Sequence, residues 1–374
     1  MKQQIELFTN SNSLPKIDLR VVLPGSIRKT TLIELSSTEE QNEIEKCLSK
    51  IDPDTPFKFY GLCSKIFKDI PTIKRVTKEI LEDYRKHNVI YMELVTNLLE
   101  KKNIFTKEEF LLSILEEIKI ANDNSDKFNS RLVISLNARS DITEYEEILK
   151  IYNNFQNQEL KKLIVGIDYS GDVTSGNFRE KKYEDIIPIF EKFRNLGLGI
   201  SIHFGQNPNY QNFPLNLFVP DRVSHCDFLK DDDINNLIKK NIHIEICPSY
   251  SFKVNKCIYY EEIILKKFWN KKYVNENGEE SLFNNISLNS DSRTLLLTDI
   301  SQEYYEIGLS FKMGINELKK IIFNEIEFIF DKDKELRDKL KNILNKKIFM
   351  FKLILFLKNK KIILIFLKKL ILKI

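Results

Sequence analysis

The chain has 374 residues, 42% of them hydrophobic and 30% charged, enough apolar mass for one large core and a composition far from disorder. Its formal charge of +4 hides an asymmetry: residues 346–374 hold nine lysines and no acid, so the rest carries −5, which argues against a nucleic-acid-binding surface. Five scattered cysteines, an odd number with no CxxC pair, exclude a disulfide framework or a cysteine zinc site.

The first ten residues, MKQQIELFTN, lack the apolar core of a signal peptide. No run reaches the roughly 18 apolar residues of a spanning helix, so a cytosolic protein is expected. From residue 16 onward, short β-branched runs alternate with longer amphipathic stretches. Strands are predicted at Lys16–Leu23, Val89–Leu94, Arg131–Leu136, Leu163–Tyr169, Leu198–Phe204, Asp221–Cys226, Ile242–Cys247 and Ile286–Asn289. Helix-period segments fall between them at Ile73–His87, Lys107–Asn122, Ile142–Asn154, Tyr183–Asn195 and Asp231–Lys240. Eight such β/α units are the number that closes a parallel TIM (β/α)8 barrel, whose chemistry sits at the C-terminal ends of the strands.

Residues 268–285, FWNKKYVNENGEESLFNN, read as an exposed polar loop before the last strand. The tail at 346–374 is almost only Lys, Ile, Leu and Phe. Two readings stay open for it: a basic amphipathic helix on an anionic membrane, or an ill-ordered extension. The expected organisation is an N-terminal extension at 1–13, a barrel at 14–345 and the tail at 346–374. A monomer is expected.

Several motifs sit at the predicted strand ends: LPKIDLRVVLPGS at 14–26, GIDYSGD at 166–172, HFGQ at 203–206, RVSH at 222–225 and SLNSD at 287–291. In this order and spacing they resemble the adenosine/AMP deaminase family, metal-dependent barrels that hydrolyse the 6-amino group of purines. VGIDYSGDVTSG at 165–176, DISQEY at 299–304 and NEIEFIF at 324–330 look most like its N6-methyl-AMP deaminase branch. The likeness covers about residues 14–335.

The resemblance implies a zinc ion that makes a hydroxide at neutral pH for attack on purine C6. In the family a His-x-His pair on the first strand, a later His and an Asp hold the metal. A Glu three residues after that later His protonates the purine ring, another His orients the water, and a second Asp contacts the purine. Carried over position by position, this chain departs from the pattern. Arg20 and Val22 stand where the His-x-His pair is expected. His203 and Asp291 match the two remaining ligands. Gln206 replaces the proton-donating Glu and cannot cycle a proton. His225 matches the water-orienting histidine, Ser292 stands in place of the second Asp, and Gly171 matches the glycine whose amide faces the purine.

The expected ligand is an AMP-like purine nucleoside or nucleotide, the expected activity impaired, and zinc is implied by the family but not by these residues. An active deaminase with a rebuilt metal site and a regulatory partner of an active relative stay open as alternatives. Of the other histidines, His87 reads as a helix C-terminal cap and His243 as an ordinary strand residue. Cys226 and Cys247 read as inert buried thiols. Arg20 is predicted to point inward and to pair with Asp291, taking over the charge of the missing metal.

Overall fold

β-branched and aliphatic residues dominate the runs that become strands, and both faces of these strands are covered. In the computed structural model, which describes residues 11–171, 183–208, 213–255, 257–274 and 278–346, eight parallel strands form one sheet. They are β1 (Lys16–Val22), β2 (Val89–Thr96), β3 (Asn129–Asn137), β4 (Ile164–Ser170), β5 (Gly199–His203), β6 (Arg222–Ser224), β7 (His243–Ile246) and β10 (Ile286–Leu288). All eight predicted strands are present, each within a few residues of its predicted bounds.

The sheet order runs β1 to β7 and then β10, each strand parallel to the next. The seam between β10 and β1 is closed by a bridge between Val21 and Asp291, with Val22 N donating to Asp291 O at 2.9 Å. Beside it the Asp18 carboxylate accepts from the backbone and hydroxyl of Ser290, at 3.1 and 2.6 Å. The architecture is the (β/α)8 barrel read from the sequence.

The helices form where their apolar period and their caps coincide. Ile70–Lys86 is capped by Asp69, and Lys107–Asp123 by a Thr106–Glu109 capping box. Ile142–Asn154, Tyr183–Asn195 and Asp231–Lys239 follow the predicted segments. The long β1–β2 connection carries three further α-helices, the last of which, Thr55–Lys65, lies over the rim.

One segment corrects the sequence reading. Residues 268–285 are not a plain loop: β8 (Lys271–Val274) and β9 (Glu280–Phe283) pair antiparallel as a small hairpin, with Phe283 buried against Phe268. Four-residue strands so rich in charge give no period to read. Residues 1–10 and 347–374 lie outside the described residues, and with them the membrane reading of the tail. Among the described residues no helix is long and apolar enough to cross a membrane.

The barrel interior is layered. At its lower end Phe330 plugs the axis against Gly166 and Gly199; a Cβ on either glycine would meet the Phe330 ring at 2.2 or 2.1 Å. Above it Arg222 lies 3.4 Å over the Phe330 ring, pairing with Glu93 and, at 2.9 Å, with Glu245. The next layer is the rim.

Candidate functional site

Strand direction brings the sequence-predicted residues together. Arg20 and Val22 from β1, Gly171 beyond β4, His203 and Gln206 at the end of β5, His225 beyond β6 and Asp291 beyond β10 line one cavity of 350 Å³. His225 and Asp291 are held at φ 54° and 53°, the left-handed region that non-glycine residues seldom adopt, as strands turn into loops. Gly171 serves close approach, because a Cβ there would meet Asn137 Oδ1 at 2.8 Å and Ala138 N at 2.9 Å.

Arg20 stands at the centre, 2% exposed. Its Nη1 lies 2.8 Å from Asp168 Oδ1 and 3.1 Å from Glu245 Oε2. Nη2 donates to Asp168 Oδ2 at 3.3 Å and to His203 Nε2. Nε is 3.4 Å from Asp291 Oδ1, so the expected Arg20–Asp291 pair is present, but Asp168 and Glu245 are the closer partners. A buried guanidinium without such partners would cost several kcal/mol.

The charges shift one another accordingly. Burial raises the Asp168 carboxyl, but the Arg20 charge and His203 outweigh it and hold the group well below the usual carboxylate range. Burial and the Arg20 charge push His203 down to about 3, leaving a neutral imidazole. Asp291 is opposed by burial and then lowered by its hydrogen bond and charge interaction with His225, 3.5 Å away, with Arg20 adding to the effect.

Gln206 accepts from His203 Nδ1 at 3.0 Å and donates to the Tyr250 hydroxyl at 2.8 Å. The Tyr250 ring packs against His225, ring centres 4.3 Å apart. Ser292 corrects an expectation. It is fully buried against Gly25, and its hydroxyl donates to Asp291 Oδ2 at 2.9 Å while meeting Tyr60 at 2.6 Å. It therefore braces Asp291 from behind and is not on the cavity wall. His87 caps the helix Ile70–Lys86, and His243 stacks on Phe328 inside the barrel, both away from the site.

The donor set does not fit the zinc that the resemblance implies. Zinc–ligand bonds of about 2 Å from His203 Nε2 and Asp291 would place the ion in the volume of the guanidinium, and Val22 offers no donor. A different trio, His225, Cys247 and Asp291, has ligand atoms all within 4.8 Å of one another. Burial, followed by the Asp291 charge, raises the Cys247 thiol well above its ordinary value, so without a metal it is protonated. Cys226 is likewise buried and raised, in line with an inert thiol.

Sequence reading missed Asp168, Glu245 and Tyr250. Asp168 lies within the GIDYSGD motif and could have been flagged as an inward carboxylate on an apolar strand. Glu245 alternates with apolar residues on β7 in the same way. Nothing in the sequence marks Tyr250.

A family model described as adenosine deaminase matches residues 15–346. The adenosine deaminase of Clostridium perfringens is 27% identical over 348 residues, covering 89% of this chain and 98% of that protein. The N6-mAMP deaminase of Arabidopsis thaliana is 28% identical over 266 residues, covering 63% of this chain and 72% of that protein. The solved Arabidopsis ADAL complex with IMP superposes with a TM-score of 0.76 at 24% identity, covering 90% of this chain and 97% of that one.

Proposed function

The chain belongs to the adenosine deaminase family, close to its N6-methyl-AMP deaminases, and on that premise we propose that it keeps the family's purine pocket without its hydrolysis. The observation that carries this is Arg20, whose guanidinium occupies the space between His203, Asp168 and Asp291 with every nearby carboxylate engaged. Hydrolytic deamination needs an activated water and a proton for the leaving amine. The Arg20 guanidinium takes the volume of the zinc that the family would place between His203 and Asp291, and the Gln206 amide cannot act as an acid at neutral pH. The residues that remain suit binding: a 350 Å³ cavity of mixed apolar and polar lining at the C-terminal rim. An AMP-like nucleotide is the proposed ligand class, supported by the IMP complex of the Arabidopsis relative. The five free cysteines support a cytosolic place for the protein.

A second reading rests on the His225–Cys247–Asp291 trio, which would make a rebuilt metal site and an active enzyme. One experiment separates the two. Metal content of the purified full chain is measured together with deamination of adenosine, AMP and N6-methyl-AMP. Less than stoichiometric zinc with turnover lowered by more than about 10⁴-fold, the combined loss of metal and acid, is expected. Stoichiometric zinc with turnover would defeat the proposal.

A further inference from the structure

The end of the barrel away from the rim carries a second cavity, of 250 Å³, where β4 and β5 begin. Its floor is apolar. Ile164 and Val165 open β4, Leu198 precedes β5, and the Phe330 ring plugs against the next residue of each, Gly166 and Gly199. Leu196, 40% exposed, adds an apolar wall.

Lysines from two separate segments surround this floor. Lys161 ends the short helix Gln158–Lys161 and Lys162 caps it, where a cation complements the helix dipole. Lys161 is engaged, its Nζ 4.6 Å over the Tyr152 ring and donating to Asn153 O at 3.3 Å. Lys332 has no such reason to be there. It stands just before a helix that starts at residue 334, the end at which a cation is disfavoured. Neither Lys162 nor Lys332 has an ion-pair partner among the described residues. Among those residues the lining holds one carboxylate, Asp331, and it is already taken. Arg131 Nε pairs with its Oδ2, and Asp333 N donates to its Oδ1 at 2.8 Å. The cavity is left with unanswered positive charge beside a concave apolar surface.

That combination complements an amphiphilic anion. Lysine heads are point charges that meet phosphate oxygens, and an alkyl group would take Ile164, Val165, Leu198 and Phe330 further out of water. We propose that this basal cavity is a binding site for a small amphiphilic anion, in its simplest form an alkyl phosphate. It shares no lining residue with the rim cavity and stands independently of the purine-pocket reading.

Titration calorimetry of the full chain with hexyl phosphate, inorganic phosphate and 1-hexanol tests this. Hexyl phosphate is expected to bind at least about 10-fold tighter than either fragment, because it alone meets both the lysines and the floor. Lys162→Glu combined with Lys332→Glu reverses two exposed charges without touching the core, and is expected to weaken hexyl phosphate by at least about 10-fold. Methyl NMR of the unaltered chain locates the ligand even if that variant fails to fold. Ile164, Val165 and Leu198 are expected to shift, and Val22 and Val95 at the rim are not. No binding of hexyl phosphate, binding no tighter than inorganic phosphate, unchanged affinity in the folded variant, or shifts confined to the rim would each overturn the site. None of these outcomes bears on the purine pocket.

Discussion

Arg20 holds three carboxylates of different strands in one place, so its removal leaves charges rather than a cavity. Asp168 and Glu245 lie 148 and 225 residues away in sequence, each within about hydrogen-bond reach of one guanidinium nitrogen. Arg20→Met is expected to lower stability by about 3–5 kcal/mol, the range for breaking a buried pair from one side. Urea unfolding measures it, and a loss under about 1 kcal/mol would show that the pairs are not maintained in solution. The same geometry predicts what restores a metal. Arg20→His, Val22→His and Gln206→Glu together are expected to recover zinc binding, while Val22→His alone is not, because the guanidinium stays in the ion's place. Zinc stoichiometry after dialysis decides between these outcomes. From the sequence, the inward direction of Arg20 and its pairing with Asp291 were legible, because a barrel strand alternates and a buried charge needs a partner. Its closer partners were not, since they depend on which strands stand opposite across the barrel.

Among the elements, the strands were the most legible part, because runs buried on both faces read as mainly apolar stretches, broken within β2 and β4 by a single inward acid each. The hairpin β8–β9 was not, for its burial alternates weakly and its ends are charged. Contacts below the rim follow from side-chain size. Gly199 meets Phe330 so closely that Gly199→Ala must displace the ring over which Arg222 lies. A loss of about 1–3 kcal/mol is expected, the usual cost of overpacking. Gly61 is the control: it sits inside the helix Thr55–Lys65, and a methyl group added there would meet nothing within 4 Å. Gly61→Ala is expected to stabilise by about 0.5–1 kcal/mol through helix propensity and unfolded-chain entropy. Thermal melts of both variants check the pair. A neutral Gly199→Ala would mean that the plug repacks freely.

At the scale of the whole molecule, buried acids of opposite shift set the pH range of stability. Asp18 at the barrel seam is raised to about 8 and Glu303 to about 7, in both cases chiefly by burial. The native state therefore holds protons that the unfolded chain has released. That contribution is fully present below the ordinary carboxylate values near 4 and is lost as pH rises through about 7 to 8. Asp168 and Asp291 are lowered despite burial, so their contribution is present above about pH 4 and lost as pH falls below it. Neutral His203 and His243 oppose the Asp18 and Glu303 contribution below their ordinary value near 6.5, so the melting temperature is expected to decline from about pH 6.5 toward pH 8. Asp18→Asn should flatten the decline. A melting temperature that rises steadily from pH 5 to 8 would contradict the assignment.

By itself the sequence determined the barrel, its family and the address of the site, because strand period, helix caps and the order of motifs are local properties. It also determined which donors are missing, since Val22 and Gln206 cannot supply an imidazole or an acid wherever they are placed. Only the tertiary structure decided what fills their place. Arg20 answers to Asp168, Glu245 and Asp291 from three other strand ends, Ser292 turns behind Asp291, and Tyr250 closes the hydrogen-bond chain through Gln206. Those relations join residues far apart in the chain, and the distances that make an ion pair or a directed hydrogen bond exist only once the barrel has closed.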